Sequence, residues 1–496
     1  MQSRAVSLVA PPELLAAIEA LERSTDTIFL DVQKRKVLFR ADGLIVAVSD
    51  LVYDLFVTLR GVPPDERIAS LVRRHGASEV SKAFQAFAEM CGVGLFAGPV
   101  SELPRKRPAD VQPSGIVLMV AQTCNLACTY CYGGGGSYGS QVARMDPATA
   151  RAAIDLMIDR APARDKYTVI FFGGEPLLNF RLIRETVGYC EARAQELGKS
   201  FSHSMTTNGT VLTDAILDFL REKRFTLMVS LDGPQAVQDS LRPFVTGRGS
   251  FAVVIHNIRR LTEAGVPVQM RATLTRKTLS AEAIHEVVRI GRELGCNRVV
   301  MSPVDTTKSE GKVDEALQLG SEQLMELERI YEAITEENLE HARVGDTARA
   351  GYDPHVRMMR SLAQGKGRGL TQCGACFGMA ATSSDGTLFP CHRFVGMDAY
   401  AIGDLASGFD LARIEEFFAR AERAYTAKCN ECWARQICCG LCYFRTADGD
   451  GGFAEPDDGA CGSFRASLEN AVGFLARLRE LPEDEQRRYV ESVRFV

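Results

Sequence analysis

The sequence predicts an α/β protein in which a partial (β/α)6 barrel carries an N-terminal winged-helix-like module and a C-terminal cysteine-rich domain. Three observations lead there. Six short apolar runs alternate with amphipathic helical segments between Gly115 and Pro303. Ahead of them, residues 26–98 read as strands followed by helices. Of the 15 cysteines, twelve fall at 124, 128 and 131 or between 373 and 461.

In the N-terminal unit, Ile28-Phe-Leu-Asp-Val and Lys36-Val-Leu-Phe-Arg read as a strand pair, and Leu44-Ile-Val-Ala-Val follows. Amphipathic helical segments lie near Asp50–Leu59, Asp65–Arg74 and Ser78–Cys91. That order suits a winged-helix-like module over residues 1–98; a plain structural cap is the alternative. Pro99 to Gln112, rich in Pro, Arg and Lys, reads as a linker over 99–113. The barrel, 114–310, has strands at 116–121, 168–172, 201–206, 226–230, 267–274 and 298–302. Helices near 147–161, 179–197, 213–223, 251–264 and 281–294 separate them. Parallel strands joined by helical crossovers place chemistry at the carboxyl ends of the strands. A helical connection (311–370), the cysteine-rich domain (371–465) and a helical tail (466–496) complete the chain. In the tail, Leu468, Phe474, Leu475 and Leu478 recur at near-helical spacing and read as docked core.

With 496 residues, 46% hydrophobic and 24% charged, the chain is globular and long enough for roughly three domains. A net charge of −5 argues against a general nucleic-acid binder, which shows a basic face in its composition. Met1 to Ala10 is cut short by Pro11 and Pro12 and lacks the apolar run of a signal peptide. No stretch reaches the roughly 18 apolar residues of a membrane span. The expectation is a soluble, cytoplasmic protein with neither nucleic-acid nor membrane partner. Fifteen thiols in a reducing compartment then read as metal ligands, since disulfides do not persist there. Cys91, Cys190, Cys296 and Cys439 stand apart from the ligand pattern as small hydrophobes.

Directly after the first barrel strand comes Cys124-Asn-Leu-Ala-Cys128-Thr-Tyr-Cys131. Three thiolates can hold three irons of a 4Fe–4S cluster and leave the fourth iron open to an exogenous ligand. A single zinc is the alternative. A closed zinc site takes four ligands, however, and Tyr132 followed by Gly133 to Gly136 supplies none.

This C-x3-C-x2-C loop, with the aromatic Tyr130 before its last cysteine, resembles the hallmark of the radical S-adenosylmethionine (SAM) superfamily. The resemblance continues strand by strand. Gly173-Gly174-Glu175-Pro176 is similar to the motif that receives the methionine amino group of SAM, with Glu175 supporting the loop. Thr206-Thr-Asn208-Gly resembles the turn placed near the ribose. Ser230-Leu-Asp232-Gly-Pro, with Arg242 beyond it, resembles the pair that holds the methionine carboxylate through Ser230 and Arg242. Each piece alone is a strand-end turn or a surface arginine; four in the family order are not. The resemblance implies a TIM-type partial barrel, SAM on the open iron and an electron from reduced flavodoxin or ferredoxin. A 5′-deoxyadenosyl radical then takes hydrogen from the substrate.

The second cysteine region resembles the SPASM domain of peptide- and protein-modifying radical SAM enzymes. Cys373 and Cys376 precede Gly386-x4-Cys391, then Cys429-x2-Cys432-x5-Cys438-x3-Cys442 and Cys461. The resemblance implies two auxiliary 4Fe–4S clusters, making three in all. Cys429, Cys432, Cys438 and Cys461 would hold the distal one, and Cys373, Cys391 and Cys442 the proximal one. Cys376 either closes the proximal cluster or leaves one of its irons open.

Within this branch the chain is most similar to the maturases of the quinohemoprotein amine dehydrogenase small subunit, which form Cys-to-Asp/Glu thioethers. The implied substrate is a Cys-containing peptide or small protein subunit, bound through the N-terminal module by strand addition. Formylglycine formation, as in anaerobic sulfatase maturases, and carbon–carbon crosslinking are the rival chemistries. A noncatalytic cluster carrier fits an open three-cysteine site poorly. Asp232 is the candidate proton acceptor, with capping of its own turn as the structural alternative. His392 either faces the active site or packs behind it.

Overall fold

The computed structural model describes residues 27–33, 35–40, 44–92, 109, 111–139, 143–305, 314–346, 352–365, 373–438 and 440–493. The first ten residues, most of the expected linker, Cys439 and the side chain of Cys91 lie outside the described residues.

Strands β1 (Thr27–Val32), β2 (Arg35–Arg40) and β3 (Ile45–Ala47) form an antiparallel meander in that order. Val37, Leu38 and Phe39 are all buried, because both faces of β2 are covered. Leu30, Val37 and Phe39 pack on a C-terminal helix, while Phe29 stacks on Phe56 at 4.5 Å. Helix α1 (Asp50–Tyr53) is capped by Ser49, whose hydroxyl accepts from Val52 N–H at 3.3 Å, and runs on as a π turn, Asp54–Thr58. Helices α2 (Pro64–His75) and α3 (Ala77–Gly92) complete a small core around Leu55, Leu71 and Phe84.

The barrel strands are β4 (Gly115–Ala121), β5 (Lys166–Gly173), β6 (Ser200–Thr207), β7 (Thr226–Ser230), β8 (Val268–Leu274) and β9 (Arg298–Pro303). All six are parallel and pair in chain order. Between them run α4 (Pro147–Arg160), α5 (Phe180–Leu197), α6 (Asp214–Glu222), α7 (Gln235–Leu241), α8 (Phe251–Glu263) and α9 (Ala281–Glu293). The short α7 has no counterpart in the sequence reading; seven residues hold too little periodicity to register. Alternation along β4 shows two buried faces. Ile116, Leu118 and Val120 pack into the helix layer, whereas Val117 and Met119 face Phe389 and Phe394 of the C-terminal region.

After α10 (Ser321–Arg343) and α11 (Val356–Ala363), two further strands join the barrel sheet. β10 (Met379–Thr382) pairs parallel with β4, Ala381 opposite Val117, and β11 (Leu388–Phe389) pairs antiparallel with β10. The sheet therefore has eight strands, ordered β11-β10-β4-β5-β6-β7-β8-β9. Its β4 edge, which six strands alone would leave unpaired, is covered by the cysteine-rich region. Helix α12 (Leu411–Asn430) follows, then α13 (Asp458–Glu480) and α14 (Glu483–Ser492). Leu468, Phe474, Leu475 and Leu478 are buried together with Leu30, Val37 and Phe39, so the tail is core. No helix among the described residues is long and apolar enough to cross a membrane.

Candidate active site

The C-terminal end of β4 passes into the cysteine loop, and neighbouring elements pin that loop by main-chain bonds. Ala127 N–H donates to Pro243 O at 2.8 Å and Thr129 N–H to Leu241 O at 2.9 Å, so the end of α7 staples the loop. Leu126 N–H points at Cys124 Sγ, 3.4 Å away. Across from it, Gly174 N–H donates to Ala121 O at 2.8 Å and Glu175 N–H to Thr123 O at 2.9 Å. These contacts leave no room for side chains. A Cβ on Gly174 would lie 2.2 Å from Thr123 O, and one on Gly173, which has φ +134°, would lie 2.3 Å from Ala121 O.

The result is a cavity of about 300 Å³ whose lining includes Cys124, Cys128 and Cys131, Gly173 and Gly174, Asn208, Ser230 and Arg242. Eight of the residues expected at the SAM cluster site thus surround one space. Glu175 and Asp232, from the same motifs, stand behind its wall. Glu175 is fully buried and accepts from Thr207 Oγ1 at 2.8 Å, Asn208 N–H at 2.7 Å and Leu177 N–H at 3.1 Å. Burial pushes its carboxyl up to about 7 against these hydrogen bonds. Its position ties the β5 and β6 loops together. Asn208 Nδ2 donates to Asn125 Oδ1 at 2.9 Å and sits 3.5 Å from Cys124 Sγ.

Asp232, the candidate proton acceptor or turn cap, has partners on both carboxylate oxygens. Its Oδ2 accepts from Arg242 Nε at 2.9 Å and from Tyr130 Oη, and its Oδ1 from Thr273 N–H at 2.9 Å. With both oxygens taken and no exposed surface, it braces Arg242 and Tyr130 instead of facing the cavity. Arg242 stacks over the Tyr130 ring at 5.2 Å and brings Nη1 to 3.9 Å from Cys128 Sγ. Burial opposes the Arg242 charge, but Asp232, Tyr130 and Cys128 together outweigh it and raise the guanidinium pKa.

The cavity continues past the thiols to Tyr132, Phe172, Arg271, Asp305, His392 and Arg393. His392 lies on the wall with its ring 4.5 Å from that of Phe172. Burial, then Arg393, lowers its pKa to about 3, so the imidazole is neutral. Arg393 donates to Asp305 Oδ2 at 2.7 Å and covers the Phe444 ring at 4.2 Å. Sequence reasoning missed Arg271, Asp305 and Arg393. For Arg271 a signal existed: Gln269, Arg271 and Thr273 alternate with buried Val268, Met270, Ala272 and Leu274 on β8.

A second cavity is lined by Cys429, Cys432, Cys438 and Cys461, together with Lys428, Arg435 and Arg465. Cys391, its thiol pushed up to about 12 by burial, has Cys442 and Cys373 near enough to add to that shift. Cys376 is fully buried in an apolar cluster with Val111, Leu388, Ile402 and Ile414. Cys190 and Cys296 lie in the barrel core, as small hydrophobes do.

Among the described residues no three His, Cys, Asp or Glu side chains converge on a single ion. A 4Fe–4S cubane asks for something else, thiols ringing a space, each on its own iron. Both cysteine-lined cavities have that form. Burial pushes the Cys128 thiol up to about 12 and raises Cys124 as well, so these groups become thiolates only against a strong positive charge such as iron. The residues present fit the group.

Residues 118–276 match the family model of the Radical SAM superfamily. The match covers about a third of the chain and takes in the fold and the three-cysteine loop described above; a radical SAM domain there would imply SAM and a 4Fe–4S cluster. A protein of Methanocaldococcus jannaschii called "Uncharacterized protein MJ0907" is 30% identical over 164 residues, 33% of this chain and 54% of that protein. The chain thus spans about half the length of this relative. The serine-type anaerobic sulfatase-maturating enzyme of Klebsiella pneumoniae is 26% identical over 334 residues, 65% of this chain and 80% of that protein. Among solved structures, native anSMEcpe with bound AdoMet and Cp18Cys peptide is similar with a TM-score of 0.61 and 20% identity, covering 74% of this chain and 99% of that one. That likeness is one of fold.

Proposed function

We propose that the chain is a radical SAM enzyme that modifies a Cys-containing peptide or small protein subunit, forming intrapeptide thioether crosslinks. The observation that carries the reading is the composition of the first cavity: its wall runs from the three-cysteine loop to His392 and Arg393, contributed by the cysteine-rich region. Cys124, Cys128 and Cys131 would hold the catalytic cluster; Gly173, Gly174, Asn208, Ser230 and Arg242 would hold SAM. When bound and reduced, this pair supplies one-electron cleavage and hydrogen-atom abstraction from carbon. The chain's own residues set the conditions. Glu175 ties the loops, Asp232 holds Arg242 in place and favours its charge, and Phe172 packs with the neutral His392 in the cavity wall. Two auxiliary clusters would complete the enzyme, the distal one in the cavity of Cys429, Cys432, Cys438 and Cys461. A small reduced flavodoxin or ferredoxin would supply electrons.

The N-terminal module supports a peptide substrate. β3 is an edge strand, and beside it lies a groove of about 180 Å³ walled by Leu38, Val46, Val52, Ala83 and Phe87. An extended peptide adding to β3 would place alternate side chains there. A second reading, formylglycine formation, is favoured by the similarity to the Klebsiella pneumoniae enzyme. Mass spectrometry of a coexpressed Cys-containing peptide tests both. Loss of two hydrogens with resistance to thiol alkylation, absent with Cys128→Ala, is the thioether outcome; a carbonyl, formed by loss of two hydrogens at a Ser or by release of the Cys sulfur as sulfide and its replacement by a water oxygen, refutes it in favour of formylglycine.

A further inference from the structure

Three guanidinium groups line the first cavity, those of Arg242, Arg271 and Arg393. Two of them face a carboxylate of the chain: Arg242 Nε lies 2.9 Å from Asp232, and Arg393 Nη2 lies 2.7 Å from Asp305. Arg271 has no carboxylate partner among the described residues. Burial lowers its pKa, and the neighbouring Arg242 and Arg393 add to that, against an opposing effect of Tyr132 and Tyr130. A cation held among like charges in a partly dry cavity is costly unless an anion arrives with the ligand. The root of the side chain is fixed: Arg271 sits in mid-strand opposite Ser230, and its carbonyl accepts Leu231 N–H at 2.9 Å.

We propose that Arg271 is the carboxylate receptor of this cavity, the guanidinium that a bound ligand's carboxylate neutralises. The planar fork suits a carboxylate bidentately. Two ligands of the proposed reaction bring one: SAM through its methionyl carboxylate, and the peptide through an Asp or Glu side chain. The assignment rests on the radical SAM reading and departs from the sequence expectation that Ser230 and Arg242 hold the methionyl carboxylate. Arg242 has already committed its Nε to Asp232.

The test uses iron- and sulfide-loaded wild type, Arg271→Gln and Arg271→Lys, the last keeping charge without the fork. SAM dissociation constants come from anaerobic equilibrium dialysis, and a randomised library of Cys-containing peptides is selected on each protein. If SAM is the source, Arg271→Gln weakens SAM by about tenfold or more, with Arg271→Lys between. If the peptide is the source, Asp and Glu are enriched among peptides selected on wild type and lost on Arg271→Gln, while SAM affinity stays within about twofold. Unchanged SAM affinity together with unchanged acidic content overturns the assignment. Wild type that binds no SAM overturns instead the reading on which it rests.

Discussion

Arg242 Nε and Asp232 Oδ2 form an ion pair 2.9 Å apart in which the Asp232 side chain has 0% exposure and that of Arg242 11%. Removing one partner of such a pair strands a buried charge. Asp232→Ala is therefore expected to lose on the order of 3–5 kcal/mol of stability in denaturant titrations, and SAM binding with it. A loss below about 1 kcal/mol would show that the pair is solvated in solution.

Two separate cavities ringed by cysteines predict separable iron losses. Cys128→Ala and Cys432→Ala should each lose about four irons from a total of about twelve, and the double variant about eight. A variant at either site that empties both, or neither, contradicts the assignment of independent clusters. Iron and acid-labile sulfide assays on anaerobically purified protein give the answer.

Gly174 is a position where size alone decides. With Thr123 O 2.2 Å from a would-be Cβ, Gly174→Ala must push the β4 and β5 loops apart. SAM affinity should fall by about tenfold or more while the iron of the other clusters is retained. Equal SAM affinity in the variant would mean that the loops part without consequence.

His203 reports on the barrel core through pH. Its ring lies between Phe171 and Phe225, with centroids 6.4 and 5.5 Å away, and its Nε2 has no partner among the described residues. Burial lowers its pKa from the usual 6.5 to about 4. Between those values the unfolded chain holds a proton that the folded chain does not, so stability rises with pH across the window and is lost as pH falls through it. The full effect is roughly 3 kcal/mol. His203→Phe should flatten this part of the stability–pH curve; an unchanged slope would place its origin elsewhere.

The groove beside β3 is testable without touching the barrel. Ala86 is exposed and lines it. Ala86→Trp should abolish binding of the peptide substrate, read by fluorescence anisotropy, with stability altered by no more than about 0.5 kcal/mol. Undiminished binding would exclude the groove as the peptide's seat.

Much of the barrel was legible in the sequence because the signals are local. A parallel strand buried on both faces is a short apolar run, and its end is marked by glycine and polar turn residues, as at Phe172-Gly173-Gly174. Cysteine spacing likewise survives without a structure: Cys429, Cys432, Cys438 and Cys461 were grouped by resemblance and line one cavity. The surroundings of Asp232 were not legible, for the complementary reason. Its partners Tyr130, Arg242 and Thr273 come from three different segments, and only their convergence shows that its oxygens are occupied.

By itself the sequence determined the strand and helix order of the barrel, the three-cysteine loop and the glycines that make room beside it. These depend on side-chain periodicity, φ freedom and spacing within a few residues. The tertiary structure decided what depends on distance through space. It set β10 on the open edge of β4, α7 against the cysteine loop, and His392 and Arg393 on the cavity wall. It also left Arg271 among like charges with no carboxylate beside it among the described residues, because charge balance in a cavity belongs to no single segment of the chain.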